Sequence, residues 1–357
     1  MSDPVRVQLL GEIGSAETIT ALRGLRDQVH NRMEALLPTL SVEQFYDQLN
    51  EVHDALIRRV IALAEADMAR MGKGSPPVPY AYLLFGSGGR QEQTLSSDQD
   101  SGIVYGNPDS EDDKAKVETY FKELASTIVA SLQETGYPPC DGNVISSNPQ
   151  WCMSITDWEK QLDHWFDEAD WEFVRYLLIV ADGRLVYGDR ELARKLKNAF
   201  YSDTLAKPLI VRRMLENTMR HKMLLGVFGQ LLKEQYGEEA GSIDIKYGAY
   251  IPMVNAIRLM AIQAGLRETS TLERISELKN RDMLAAEDAS VYAETFRIFL
   301  KLRLITIEHT EDGMFTNNGK LAGSRLTKEM KDELKLALKT GQKLQRRVYK
   351  QTMGKLG

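Results

Sequence analysis

The chain has 357 residues, long enough for two or three domains, and its 43% apolar and 27% charged content is that of an ordinary globular protein. Lysine and arginine number 45 against 51 acids, a net charge of −6, which argues against a protein that coats nucleic-acid backbones. Two cysteines, Cys140 and Cys152, are too few for a disulfide framework and stand in no metal-ligand spacing; without a signal-like start or an apolar run of membrane length, free thiols and a cytoplasmic location are expected.

Residues 1–75 read as an N-terminal helical region. Ile19, Leu22, Leu25, Val29 and Met33 recur at helical spacing, as do Phe45, Leu49, Val52, Leu56, Val60 and Leu63. An antiparallel helical pair is the expectation. His53-Asp54 lies within it, but the chain lacks the supporting histidines of a metal dyad, so a structural or solvated role is expected. The stretch 73–79, KGSPPVP, is a linker by composition.

Residues 80–85 are apolar throughout, as in a buried strand, and run into Gly86-Ser87-Gly88-Gly89-Arg90. Here the backbone can turn sharply and bring its N–H groups to an anion. After a polar connection, Asp98-Gln99-Asp100 opens a second strand-like run over 101–105. Alternate residues of a strand share a face, so Asp98 and Asp100 present two carboxylates side by side. Carboxylates that close repel unless a divalent cation lies between them. Together the pieces describe a triphosphate site, with Gly86, Ser87 and Gly88 on phosphate oxygens and Asp98 and Asp100 on magnesium or manganese.

Gly-Ser, a spacer of about ten, then Asp-x-Asp resembles the signature of the nucleotidyltransferase superfamily that includes DNA polymerase beta. The longer string GSGGRQEQTLSSDQD resembles a bacterial branch related to the catalytic domain of PII uridylyltransferase. Gln99 departs from the superfamily's usual apolar middle residue and suits this branch. The resemblance implies an α+β fold: a small mixed-sheet core over 76–200, flanked by the N-terminal helical pair and a C-terminal helical bundle over 201–357 that binds substrate. It also implies that Arg90 meets the leaving pyrophosphate, and that the nucleotide lies between core and bundle.

Within the core, Val117, Tyr120, Phe121, Leu124, Ile128 and Leu132 mark an amphipathic helix stopped by Gly136 and Pro138. Residues 143–146 are expected as a third strand. The segment 147–152 resembles one that follows that strand in the branch, and its Trp151 either packs in the core or lines a base pocket. The superfamily's third carboxylate has no counterpart on 143–146, and Asp141 departs from the branch pattern. The candidate is Asp182, in ADGRLVYGD, which resembles the branch's Asp-x-Arg and the turn after it. Asp182 is either a base for the acceptor hydroxyl or a turn residue. Arg184 contacts either phosphate or a carboxylate, and Asp189 is placed to cap the next helix.

From about 205 onward the pattern reads as wholly helical, beginning with one long helix through Ile210, Met214, Met219, Leu224, Val227, Phe228 and Leu231. Residues 205–355 resemble the substrate-binding domain of the branch. Asp244, Lys246 and Arg258 match a polar motif there, and are either nucleotide or acceptor contacts or surface charges. The expected activity is magnesium-dependent transfer of a nucleoside monophosphate from a nucleoside triphosphate to an acceptor hydroxyl, a protein being one candidate, with pyrophosphate released. The rival is a nucleotide-sensing regulator that keeps the site without transfer. Nucleic acid and membrane are not expected partners.

Overall fold

A computed structural model of the chain describes residues 3–226, 229–234, 236, 240–309 and 315–356. Two compact units emerge, one of Met1–Asp163 with Asp182–Ala199, the other of His164–Ala181 with Phe200–Gly357.

Unit 1 opens with three helices, α1 (Asp3–Ser15), α2 (Ile19–Leu36) and α3 (Val42–Arg70). Thr18 caps α2 by accepting from the Ala21 N–H, and Ser41 with Gln44 forms a capping box on α3. The expected pair is therefore a trio. Among its described side chains helix α1 buries Leu9 and Ile13, a stripe too sparse to announce itself by periodicity.

Next come β1 (Tyr80–Leu84), the single helical turn α4 (Gly86–Gly89), β2 (Ser101–Tyr105), α5 (Glu111–Thr135) and β3 (Cys152–Ser154). Helix α6 (Ile155–Glu168) leads the chain into unit 2, which takes α7 (Trp171–Val180); β4 (Arg184–Gly188) and the start of α8 (Arg190–Ala206) belong again to unit 1. The four strands form one mixed sheet in the order β3-β2-β1-β4: β1 is antiparallel to both β2 and β4, and β3 runs parallel to β2. Every residue of β1 and β2 is buried, which explains their unbroken apolar character. Helix α5 packs on this sheet through Phe121, whose ring stacks on Tyr105 at 4.4 Å, and ends at Gly136 in the left-handed conformation (φ 105°).

The third strand is not where the sequence placed it. Residues 143–146 turn, with Asn143 at φ 55°, and the strand forms at Cys152–Ser154. Trp151, just before it, is buried against Phe85 and Trp158 and belongs to the core.

Unit 2 continues with α9 (Pro208–Thr218), β5 (Ser242–Asp244), α10 (Ile251–Gln263), α11 (Thr271–Asn280), α12 (Ala286–Ile305), β6 (Glu308–His309), β7 (Phe315–Thr316), β8 (Lys320–Ala322) and α13 (Lys328–Leu356). The long helix expected through Leu231 stops at Thr218, and irregular chain with Gly226 and with Gly229 at φ 77° follows; Val227 and Phe228 lie outside the described residues. Nor is the unit wholly helical, since β5 pairs with β8 and β6 with β7, both antiparallel. Helix α10 is buried from Pro252 through Ile262 and packs against α9, α11 and α13, so it forms the centre of this unit. Among the described residues no helix is long and apolar enough to cross a membrane.

Candidate active site

Strand pairing brings the glycine turn and the aspartates together. Leu84 of β1 opposes Ser101 of β2, and one step further the Phe85 N–H donates to Asp100 O at 2.9 Å. Both segments therefore leave the sheet at the same end. Gly86 has φ +50°, and a Cβ added there would overlap Asp100 Oδ2, so glycine is required for two independent reasons. A Cβ at Gly89 would overlap Asp182 O and lie 2.8 Å from Leu84 O. The turn closes with Gly89 N–H on Phe85 O (2.7 Å) and Arg90 N–H on Gly86 O (3.2 Å), while the N–H groups that open α4 have no acceptor within its own turn. Ser87 between them is half-buried.

Asp98 and Asp100 are half-buried and flank the buried Gln99, the alternation of an extended strand lead-in. The polar middle residue has a local cause. Gln99 Nε2 donates to Tyr137 O (2.7 Å) and Val129 O (3.1 Å), and its backbone N–H donates to Pro138 O (2.9 Å). These bonds lay residues 137–140 alongside the aspartates, with Gln99 and Pro139 bridged in parallel.

Cys140 arrives at the site by this route. Its Sγ and carboxylate oxygens of Asp98 and Asp100 all lie within 4.8 Å of one another. Sequence spacing gave no hint of it, because the approach depends on a β-bridge between distant segments. Burial, together with the Asp100 and Asp98 carboxylates, pushes the Cys140 thiol up to about 12. Two carboxylates and a sulfur at this separation are a donor set that fits a divalent cation.

The other expected residues of unit 1 meet protein partners. Arg90 donates from Nη1 to Asp182 Oδ2 (2.7 Å) and from Nε to Glu92 Oε2 (2.8 Å), and all three side chains are buried. Arg184 grips Asp54 with two bonds (2.7 and 2.8 Å) and donates from Nη2 to Gly88 O (2.9 Å), so it ties the glycine turn to α3. Asp54 thereby has a structural role, buried rather than solvated. Its neighbour His53 donates from Nε2 to Thr94 O (3.1 Å) and accepts at Nδ1 from the Tyr137 hydroxyl (2.7 Å), a tautomer set by the carbonyl. With Asn50 Oδ1 accepting from the Gln93 N–H (3.1 Å), α3 fixes the whole connection between turn and aspartates. Asp189 caps α8, accepting from the N–H groups of Glu191 and Leu192.

In unit 2, Asp244, Lys246 and Arg258 fall around a π-helical turn, Lys246–Tyr250, that opens onto α10. Asp244 accepts from the Tyr247 N–H (2.7 Å), and burial raises its pKa. Arg258 is buried and donates to Asn255 Oδ1 (2.7 Å). The exposed Tyr247 stacks on His221, whose pKa is lowered by burial and by Arg220 while Asp244 opposes that shift. His221 and Tyr247 thus adjoin Asp244, which the sequence had singled out.

Residues 27–172 match the family described as "Putative nucleotidyltransferase DUF294", and residues 208–352 match the one described as "Putative nucleotidyltransferase substrate binding domain". Two curated relatives, both bifunctional glutamine synthetase adenylyltransferase/adenylyl-removing enzymes, are similar over 275 residues: 23% identical in Burkholderia pseudomallei and 22% in Burkholderia mallei. The matched region is 74% of this chain and 28% of each relative. With a glycine turn and a paired-aspartate lead-in at one end of a mixed sheet, and both domain matches in series, the chain belongs to this two-domain nucleotidyltransferase family.

Proposed function

We propose that the protein transfers a nucleoside monophosphate from a nucleoside triphosphate to an acceptor hydroxyl, with pyrophosphate as the second product. The observation that carries this reading is the placement of Asp100 directly against Gly86 with Asp98 beside it, so that cation ligands and phosphate-binding backbone share one end of the sheet. Asp98 and Asp100 are the residues that hold a divalent ion, magnesium or manganese, whose charge offsets that of the triphosphate.

The chain's own groups have separable tasks. The Ser87 hydroxyl and the opening N–H groups of Gly86–Gly88 bind phosphate oxygens. Arg184 positions that turn through Gly88 O and is itself held by Asp54. Arg90 was expected on pyrophosphate, and Asp182 either on the acceptor proton or in a structural turn; each is buried and committed to the other, so both are assigned to holding the turn. Asp244 and Lys246 are assigned to the substrate-binding surface of unit 2, and the buried Arg258, bonded to Asn255, to holding α10 beneath it. The names of the two relatives support adenosine triphosphate as donor and a protein as acceptor.

The test is pyrophosphate release from each of the four ribonucleoside triphosphates with magnesium, offered protein acceptors that include glutamine synthetase. Release is expected from one nucleotide, adenosine triphosphate first, and falls to background in Asp98→Asn and Asp100→Asn. Equal release by wild type and variants would overturn the assignment.

A further inference from the structure

Cys140 has no task in the proposed transfer, yet its sulfur lies within ligand distance of both aspartates. We propose that it makes the aspartate pair a cation site with two modes: a hard divalent ion bound through carboxylate oxygen, and a thiophilic one, zinc foremost, bound through Cys140 Sγ with Asp98 and Asp100, which displaces the hard ion and arrests transfer. This inference rests on the reading of Asp98 and Asp100 as cation ligands.

Three observations support it. Asp98, Asp100 and Cys140 are each half-buried, so an ion can reach them from solvent. Cys140 is held in register, because Gln99 fixes the backbone of Tyr137 and Pro138 through two hydrogen bonds and bridges to Pro139. Independently, Gln93 lines a cavity with Asp98 and Asp100 and lies beside Gly88, and its Oε1 is buried without a hydrogen-bond partner among the described residues. Gln93 is more than nine-tenths buried. An amide oxygen in that state points to a ligand with positive charge or donated protons. The oxygens suit magnesium or manganese, whereas one thiolate among carboxylates favours zinc or cadmium in a four-coordinate set. Binding in the second mode replaces the Sγ–H bond by a sulfur–metal bond, with the proton passing to water and no change of oxidation state.

Cadmium serves as the spectroscopic probe, because a cadmium–thiolate bond gives an ultraviolet charge-transfer band. The full chain is titrated with cadmium alone, beside Cys140→Ser, Cys140→Ala, Cys152→Ser and the double variant Asp98→Asn/Asp100→Asn, each checked for an unchanged melting profile. The band is expected to saturate at one ion per chain in wild type and Cys152→Ser. It should vanish in both Cys140 variants and need at least about tenfold more cadmium in the aspartate variant. A band that survives loss of Cys140, or that keeps its full affinity without the aspartates, overturns the inference. Magnesium-dependent nucleotide binding by wild type, measured in parallel, separates the two readings. Nucleotide binding without a cadmium band sinks the thiol's role alone, and a cadmium band without nucleotide binding sinks the transfer reading alone.

Discussion

Arg90 and Asp182 form an ion pair of 2.7 Å at the end of the glycine turn, with side chains only 5% and 1% exposed. Glu92 completes the group through Arg90 Nε. Without Asp182, Arg90 keeps Glu92 as its counter-charge but loses the buried, charge-assisted hydrogen bond from Nη1. Asp182→Ala is therefore expected to lower stability by about 1.5–3 kcal/mol in urea denaturation, and Asp182→Asn by less. A loss below about 1 kcal/mol for the alanine variant would show that the pair does not brace the turn.

Gly86 tests the contact between turn and carboxylate. Alanine there must occupy φ +50° and meets Asp100 Oδ2. The backbone strain costs about 1–3 kcal/mol, and relief by moving Asp100 separates it from Asp98. Gly86→Ala is expected to weaken magnesium-dependent nucleotide binding by more than the stability loss explains, since the folded fraction still lacks the paired carboxylates. Unchanged affinity in calorimetric titration would contradict this geometry.

Gln99→Leu removes the two donors that hold Val129 O and Tyr137 O. Val129 O keeps its helical N–H within α5, so the cost is that of Tyr137 O losing this donor, about 1–3 kcal/mol. The variant should also loosen residues 137–140, seen as faster amide exchange at Tyr137 and Cys140. Wild-type stability in Gln99→Leu would mean that these bonds are replaceable.

How much of this was legible in the sequence depended on the range of each interaction. The glycine turn, the Asp-x-Asp and the stripes Leu22–Val29–Met33 and Phe45–Leu49–Val52 are local patterns, and the structure places them on the turn, the strand lead-in and buried helix faces. Cys140 was invisible because its approach to Asp100 is set by the Gln99–Pro139 bridge. Asp54 was invisible as the partner of Arg184 for the same reason, since the two meet only when α3 packs on β4. The third strand was misplaced because a run of three or four residues has too little periodicity to separate strand from turn, and Asn143 settles the matter with φ 55°. In unit 2, Met219 and Leu224 carry a helical spacing across chain that is not helical, where the glycines at 226 and 229 and local packing outweigh propensity.

His53 gives the pH dependence. Burial, helped by the nearby Arg26 charge, holds its pKa down at about 3, against 6.5 ordinarily. Below pH 6.5 the unfolded chain takes up a proton that the folded chain refuses. The stability present above pH 6.5 is thus lost as pH falls toward 3, by about 1.4 kcal/mol per unit, or about 2 kcal/mol by pH 5. His30 is shifted in the same direction by burial and Arg26 and adds to the slope. Urea midpoints from pH 7.5 to 5 should fall in wild type and fall less in His53→Gln. Parallel slopes would remove His53 from the acid response.

The cation-held triphosphate is tested most directly by the magnesium dependence of nucleotide binding, read as the melting temperature with each ribonucleoside triphosphate. A ligand at about 100 times its Kd stabilises the folded state by about 2.7 kcal/mol, a rise of several degrees for a unit of this size. The predicted result is a rise with one nucleotide and magnesium that disappears on chelation and in Asp98→Asn and Asp100→Asn. An equal, magnesium-dependent rise in both variants would contradict it and move the site away from the aspartate pair.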